Sequence, residues 1–141
     1  RDVAPSRGLG DVYKRQSLDN VVIPDGVTTL EQYTFSGCKS LKNITLPDTM
    51  TLIGDAAFFE CESMTEFTFP ASLTEIGQGA FVSTGFKTIE IPATVISIGY
   101  SAFGFTTDQT HEIIAVDGFS ISGYSGSYAQ SYCTENGNVL Y

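Results

Sequence analysis

The chain has 141 residues, with 7 Lys and Arg against 16 Asp and Glu, a formal net charge of −9, and 42% hydrophobic residues. A surface this acidic lacks the basic groups that displace counterions from nucleic acid or hold an anionic bilayer, so both are excluded as partners. No apolar run approaches the roughly 20 residues of a membrane-spanning helix, and one domain of this length can bury a real core.

Residues 1–16 stand apart from the rest of the chain. The run Ser6 to Gln16 back-translates codon for codon into a transposase adapter used in short-read library preparation. Arg1-Asp2 matches the flow-cell end of the same oligonucleotide, and Val3, Ala4 and part of Pro5 fill the place of a sample index. The alternative is a natural basic terminus or a tag. The segment is expected to be an artefact outside the fold, with the gene running on upstream, so that a leader peptide would not be visible here. Without it only Lys39, Lys42 and Lys87 are basic, against fourteen acidic residues, and the net charge becomes −11.

From residue 18 onward the chain repeats itself. Pro24, Pro47, Pro70 and Pro92 are spaced by 23, 23 and 22 residues, and a phenylalanine follows each by eleven: Phe35, Phe58, Phe81 and Phe103. A fixed period of this size marks a solenoid, in which each rung buries its apolar face only against its neighbours. The repeats run 18–40, 41–63, 64–85 and 86–110. Aligned on the prolines, apolar residues form columns: Leu18/Leu41/Met64/Phe86, Val21/Ile44/Phe67/Ile89, Ile23/Leu46/Phe69/Ile91, Val27/Met50/Leu73/Val95 and Leu30/Ile53/Ile76/Ile98.

Within a rung, the residues before the proline alternate, as in Ile44-Thr45-Leu46, which predicts a short strand that the proline ends. A second short extended piece carries the Leu30/Ile53/Ile76/Ile98 column. Gly54, Gly77 and Gly99 come after it, for positive φ or for close approach of rungs, with Glu31 in the first repeat. Asp55 to Glu60 has room for one helical turn.

These columns carry a resemblance. Leu41 to Cys61 reads Leu-x-x-Ile-x-Leu-Pro…Ile-Gly-x-x-Ala-Phe-x-x-Cys, which resembles the BspA-type leucine-rich repeat of bacterial surface proteins, over residues 18–141 and in four phased copies. The ordinary leucine-rich repeat places Asn or Cys two residues after the proline position. Gly26, Thr49, Ser72 and Thr94 stand there instead, which excludes an asparagine ladder. The expected fold is a leucine-rich-repeat solenoid over 17–110, mostly short β-strands with one helical turn per rung, closed by a C-terminal cap with a short helix over 111–141. In the cap, Val116-Asp117-Gly118-Phe119 reads as a hairpin turn between Ile113/Ile114 and Ile121. A helix comes next, with Ser125 or Ser127 as its N-cap, an apolar face of Tyr128, Tyr132 and Cys133, and Gly137 as its C-terminal cap. Val139 and Tyr141 are expected in a last strand.

Chemistry-bearing residues are few. Cys38 and Cys61 hold one column in consecutive rungs; either a disulfide or two buried thiols fits the spacing, and Thr84 continues the column without sulfur. Cys133 has no partner by sequence. His111, the single histidine, lies in the polar stretch Thr106 to Glu112 with no nucleophile in a motif beside it. No zinc spacing, calcium loop or phosphate loop is present, so no metal, cofactor or catalytic residue is expected. The candidate ligand-binding surface is the outward side of the main strands: Asn20, Val22, Asn43, Thr45, Glu66, Thr68, Thr88 and Glu90. A solvated β surface would carry the same residue types. Strands about 4.8 Å apart present only on the order of 200 Å² there, against about 800 Å² per partner in a stable interface.

The resemblance implies a secreted or cell-surface bacterial protein that uses the array for adhesion, with a protein ligand, host or cell-surface. Two other functions stay open: a structural spacer, and an accessory region of a secreted enzyme whose catalytic domain lies upstream.

Overall fold

The computed structural model describes residues 2–3, 17–123, 126–136 and 139–140. Its strands in chain order are β1 (Asp2–Val3), β2 (Asn20–Val22), β3 (Thr29–Leu30), β4 (Asn43–Thr45), β5 (Leu52–Ile53), β6 (Glu75–Ile76), β7 (Thr88–Glu90), β8 (Ser97–Ile98), β9 (Phe105–Thr107), β10 (Ile113–Ala115) and β11 (Ser120–Ser122). Helix α1 (Tyr128–Asn136) and strand β12 (Val139–Leu140) complete the chain order. Most of residues 1–16 lies outside the described residues; Asp2 and Val3 run parallel to β2, opposite Val21 and Val22.

The rungs stack through three ladders. The second strands form a continuous parallel sheet β3-β5-β6-β8, in which Leu30, Ile53, Ile76 and Ile98 are in register and buried. The main strands form β1-β2-β4 at one end and β7-β11-β12 at the other. The third ladder runs through the turns. The Phe35, Phe58 and Phe81 N–H groups donate to the Ala57, Ala80 and Ala102 carbonyls at 2.8, 2.8 and 3.0 Å. N–H groups two residues to either side do the same, for example Ala56 to Gln78 and Glu60 to Val82. The intervening N–H groups close i→i+3 turns within the rung, as Phe59 does to Ala56. The helical turn of each rung therefore takes the form of successive tight turns, and alternate N–H groups stay free to reach the next rung.

That geometry places left-handed backbone twice in each of the first three rungs, at Tyr33, Ala56 and Gly79 and again at Gly37, Glu60 and Ser83. Tyr33, Ala56, Gly79 and Ser101 occupy one column, with φ of 62°, 51°, 62° and 55°. Three of the four are not glycine, each costing roughly 1–2 kcal/mol against the ordinary conformation. The Gly54/Gly77/Gly99 column serves close approach instead. A Cβ on Gly77 would lie 2.5 Å from the Asp55 nitrogen, and one on Gly99 would overlap the Gln78 backbone.

Inside, the phenylalanine column is a stack of near-parallel rings. Centroids lie 5.5, 5.1 and 5.0 Å apart along Phe35, Phe58, Phe81 and Phe103, at interplanar angles of 11–13°. All four rings are essentially fully buried. At the C-terminal end Tyr132 of α1 meets Phe103 edge-on, 6.0 Å away. The Phe103 N–H donates to the Tyr132 hydroxyl, which in turn donates to the Phe103 carbonyl, both at 2.8 Å. The tyrosine takes the place that the next rung's alanine carbonyl fills elsewhere.

The cap departs from the expectation of the sequence in three ways. Its hairpin joins β9 to β10, with Ile113 opposite Thr107, rather than turning at Val116–Phe119. Asp108 builds that turn: its Oδ1 accepts from the Thr110 N–H, the Thr110 hydroxyl and the Glu112 N–H. Gly118, at φ 75°, instead turns the chain into β11, which pairs parallel with β7 as a further rung. On α1 the buried residues are Ala129, Tyr132 and Cys133, whereas Tyr128 is exposed. One helical step of 100° separates Tyr128 from Ala129, and only the latter faces the last rung. At the helix start, the Ser127 hydroxyl is buried without a partner, and the Gln130 side chain accepts from the Gly126 N–H instead. Ser125, Gly137 and Tyr141 lie outside the described residues.

The stack and its lid lead to two expected stability outcomes. Phe81→Ala removes a ring that touches both neighbours, and should lower the unfolding free energy by about 3–5 kcal/mol in urea titration. Burial raises the Tyr132 pKa from 10.0 to about 12, against the opposing effect of its bond to Phe103. Between those values the unfolded chain has released this proton and the folded chain has not. Stability should therefore be complete below pH 10 and fall as pH rises towards about 12. In Tyr132→Phe this component of the alkaline loss should disappear, at a neutral-pH cost of about 1–3 kcal/mol for the unpaired Phe103 groups.

Candidate functional site

The eight candidate surface residues do not form one uniform face. Asn20 and Val22 on β2 lie directly beside Asn43 and Thr45 on β4, in register. The Asn43 side chain donates to the Asn20 side chain at 2.9 Å, so these amides hold each other across the rungs. Thr88 and Glu90 are exposed on β7, beside Ser120 and Ser122 of β11. Glu66 and Thr68 point outward as the alternation requires, yet residues 66–68 form no ladder with β4 or β7 among the described residues. The expected strand of the third rung is thus missing from the sheet, and the candidate face is split in two.

Bulk in the third rung explains the split. The Val21/Ile44/Ile89 and Ile23/Leu46/Ile91 columns carry Phe67 and Phe69 in this rung alone. Phe67 lies 5.3 Å from Phe58 and 5.0 Å from Phe81, and Phe69 lies 5.7 Å from Phe81 and 6.0 Å from Phe103. Each ring therefore leans edge-on against two members of the phenylalanine stack. Edge-to-face packing of this kind is favourable. Rings of this size need more room than the roughly 4.8 Å spacing of a parallel ladder gives an aliphatic side chain, and the ladder is missing where they stand. The rung is also one residue shorter than its predecessors, in the turn before Phe86.

A groove of about 380 Å³ opens where the ladder is broken. Phe67, Phe69, Ala71, Pro92 and Ala93 supply its apolar lining, and Thr68, Glu90 and Thr94 complete it. Of the candidate surface residues it brings together Thr68 and Glu90; the two asparagines, Val22, Thr45, Glu66 and Thr88 are not in its lining. The column pattern of the sequence assigns Phe67 and Phe69 wholly to the core. The available signal is a pair of aromatic rings entering two columns that are aliphatic in every other rung.

The other chemistry-bearing residues have structural roles. Cys38 and Cys61 are buried thiols with no disulfide between them. The Cys61 thiol donates to the Phe35 carbonyl at 3.2 Å, and burial, reinforced by Cys38, pushes its pKa well above the ordinary thiol range. Burial also raises the Cys133 thiol. His111 is exposed, at φ 66°, in the turn that Asp108 organises. The Thr110 hydroxyl first, then the Glu112 and Thr110 N–H groups and His111, hold the Asp108 carboxyl below its usual range. Among the described residues no three His, Cys, Asp or Glu side chains are grouped to hold a metal ion. At the positions that exclude an asparagine ladder, the hydroxyls of Thr49, Ser72 and Thr94 donate to the Val27, Met50 and Leu73 carbonyls at 2.9, 2.6 and 2.8 Å. A hydroxyl ladder replaces the amide one.

The stacked rungs have counterparts among known proteins. The model of the BspA-type leucine-rich repeat region matches residues 10–134 in six copies. The chain belongs to this family. Among solved structures it is similar to a leucine-rich repeat protein of T. pallidum, at 32% identity and a TM-score of 0.64, covering 76% of this chain and 46% of that one. A leucine-rich repeat protein from Bacteroides ovatus is similar at 33% identity and a TM-score of 0.60, over 62% of this chain and 23% of that one. The pneumococcal vaccine antigen PcpA shares the fold at 13% identity, with a TM-score of 0.61 over 87% of this chain and 35% of that one. The chain thus spans less than half of each of these structures. No curated protein matches it.

The thiol assignments have a direct check. A disulfide-exchange reagent should leave Cys38, Cys61 and Cys133 unreacted in the native protein and titrate all three after denaturation. A fast native reaction at any of them would show that the rungs open there.

Proposed function

We propose that this chain is a non-catalytic repeat module of a secreted or cell-surface bacterial protein, and that it contacts a protein ligand through the groove at the third rung. The observation that carries the reading is the break in the main sheet. An intact ladder would be a flat, mostly polar surface of Asn, Thr, Ser and Glu with Val22 among them. The break supplies what a small surface otherwise lacks, a concave apolar pocket for one anchoring side chain.

The electrostatics favour a ligand with basic groups. Glu90 lines the groove, and Glu66 is exposed on the same rung as Phe67. Lys39 and Lys42 are engaged with Glu62 and Asp19 at 3.2 and 3.9 Å on the first two rungs. Glu90 makes no ion pair among the described residues, and an exposed carboxylate at the edge of an apolar pocket selects a cation beside an apolar or aromatic group. One such pocket gives modest affinity, and adhesion then draws on avidity across a longer array or several copies. Membership of the family supports the extracellular setting, and no helix among the described residues is long and apolar enough to cross a membrane.

Surface plasmon resonance of the full chain against a panel of purified extracellular matrix and bacterial surface proteins tests this reading. Thr68→Arg fills the groove from an exposed position, and Glu90→Lys inverts its charge; both should leave the melting temperature within about 2 °C. Each should weaken any specific binding by tenfold or more. Binding that is indifferent to both substitutions would place the contact elsewhere, and the absence of binding across the panel would favour the spacer.

A further inference from the structure

The second sheet carries a furrow that crosses β5, β6 and β8, with a volume of about 310 Å³. One glycine per rung lines it, Gly54, Gly77 and Gly99, so no side chain rises from that column. Ahead of the glycines in the chain, Glu75 and Ser97 supply its lining; after them come Asp55, Gln78 and Tyr100. All five are exposed. The Tyr100 ring lies 6.5 Å from Phe105, tilted by 31°, and is still 72% open to solvent. The Asp55 carboxylate is fixed in place, because its Oδ1 accepts from the Gln78 N–H of the next rung at 2.8 Å. The side chains of Glu75, Gln78 and Ser97 make no hydrogen bond or ion pair among the described residues.

We propose that this furrow binds a neutral β-1,4-linked polysaccharide strand laid along the array, one sugar per rung. The lining has the chemistry for a ligand dense in hydroxyls. The two carboxylates accept from O–H groups, and the Gln78 amide and Ser97 hydroxyl both donate and accept. An exposed aromatic ring beside a few placed polar groups offers an apolar surface for the C–H face of a pyranose. The lining contains no Lys or Arg, and the chain carries a net charge of −9, so uronate or sulfated glycans are repelled.

Spacing selects a glycan over a basic peptide, which the carboxylates alone would also admit. The array repeats every 5.0 to 5.5 Å along its phenylalanine stack. A β-1,4-linked pyranose chain advances by close to this distance per sugar, so each sugar meets the same phase of a rung. An extended peptide presents side chains on one face only every ~6.7 Å, and falls out of step within two rungs. The furrow is shallow and has a single aromatic ring, so a Kd of about 0.1–1 mM is expected. It shares no lining residue with the third-rung groove, and binding here does not depend on what that groove takes.

A ¹⁵N NMR titration of the full chain with cellohexaose, chitohexaose and β-1,4-mannohexaose, each to about 5 mM, tests the proposal. At least one should shift the amides of residues 54, 77, 99 and 100 saturably. For that sugar, affinity should climb with chain length to three or four units and then level off, since three rungs line the furrow. Tyr100→Ala should weaken binding at least tenfold, Tyr100→Phe should stay within twofold, and Glu75→Ala should cost severalfold. All three positions are exposed, so melting temperatures should stay within about 2 °C. Thr68→Arg in the third-rung groove should leave the titration unchanged. No saturable shift with any of the three sugars overturns the proposal, as do shifts that map elsewhere or binding indifferent to Tyr100→Ala. Hexalysine shifting the same amides more strongly than every sugar overturns it too, and assigns the furrow to a cationic peptide.

Discussion

Everything in this protein depends on the backbone hydrogen bond from one rung to the next. A rung of 22 or 23 residues buries nothing by itself. Its apolar columns become a core only when the neighbouring rung is held at ladder distance. The turn face shows how strictly that condition applies. Alternate N–H groups at Tyr33, Phe35 and Gly37 reach the next rung, and the cost is a left-handed residue in every turn, whether or not a glycine is available. The glycines at 54, 77 and 99 answer to the same constraint, since a Cβ there would collide with the preceding rung's backbone.

The phenylalanine stack and the ladder reinforce each other while each ring stacks only on its own column. The third rung shows what happens when that correspondence fails. Phe67 and Phe69 improve the core by bridging rungs, and the main-strand ladder is lost beside them. The second sheet and the turn ladder continue unbroken through the same rung, so the loss stays local and produces a groove without unfolding the array. A site of this kind arises from a conflict between two stabilising interactions, and its position is set by side-chain size.

The period, the columns and the solenoid were legible because prolines and phenylalanines recur at fixed steps and stacking demands identical spacing. The left-handed column was not legible, because Tyr33, Ala56 and Ser101 carry no common residue signal; the requirement is set by the rung above. The hydroxyl ladder of Thr49, Ser72 and Thr94 was visible only as the lack of asparagine, although three small hydroxyls in one column name their own role once carbonyls are placed 2.6–2.9 Å away. The cap hairpin was misplaced because Val116-Asp117-Gly118-Phe119 has turn chemistry, whereas the turn that forms is closed by a single aspartate side chain. Alternation turns Thr68 and Glu90 outward, and the structure exposes both in the lining of the groove. The aromatic lining beside them was hidden, because the pattern that marks a core position is the same whether the ring seals a rung or separates two.

The Tyr132 hydroxyl gives the cap a measuring function. It accepts from the Phe103 N–H and donates to the Phe103 carbonyl, and so recognises the end of a rung at one particular phase of the repeat. Any rung that ends in an alanine and a phenylalanine presents the same pair of groups. The lid therefore fits behind any rung of this pattern that ends in the same phase. An insertion of a few residues in the last rung would present the wrong groups to the tyrosine. Growth of the array is thus quantised at its C-terminal end by one phenol.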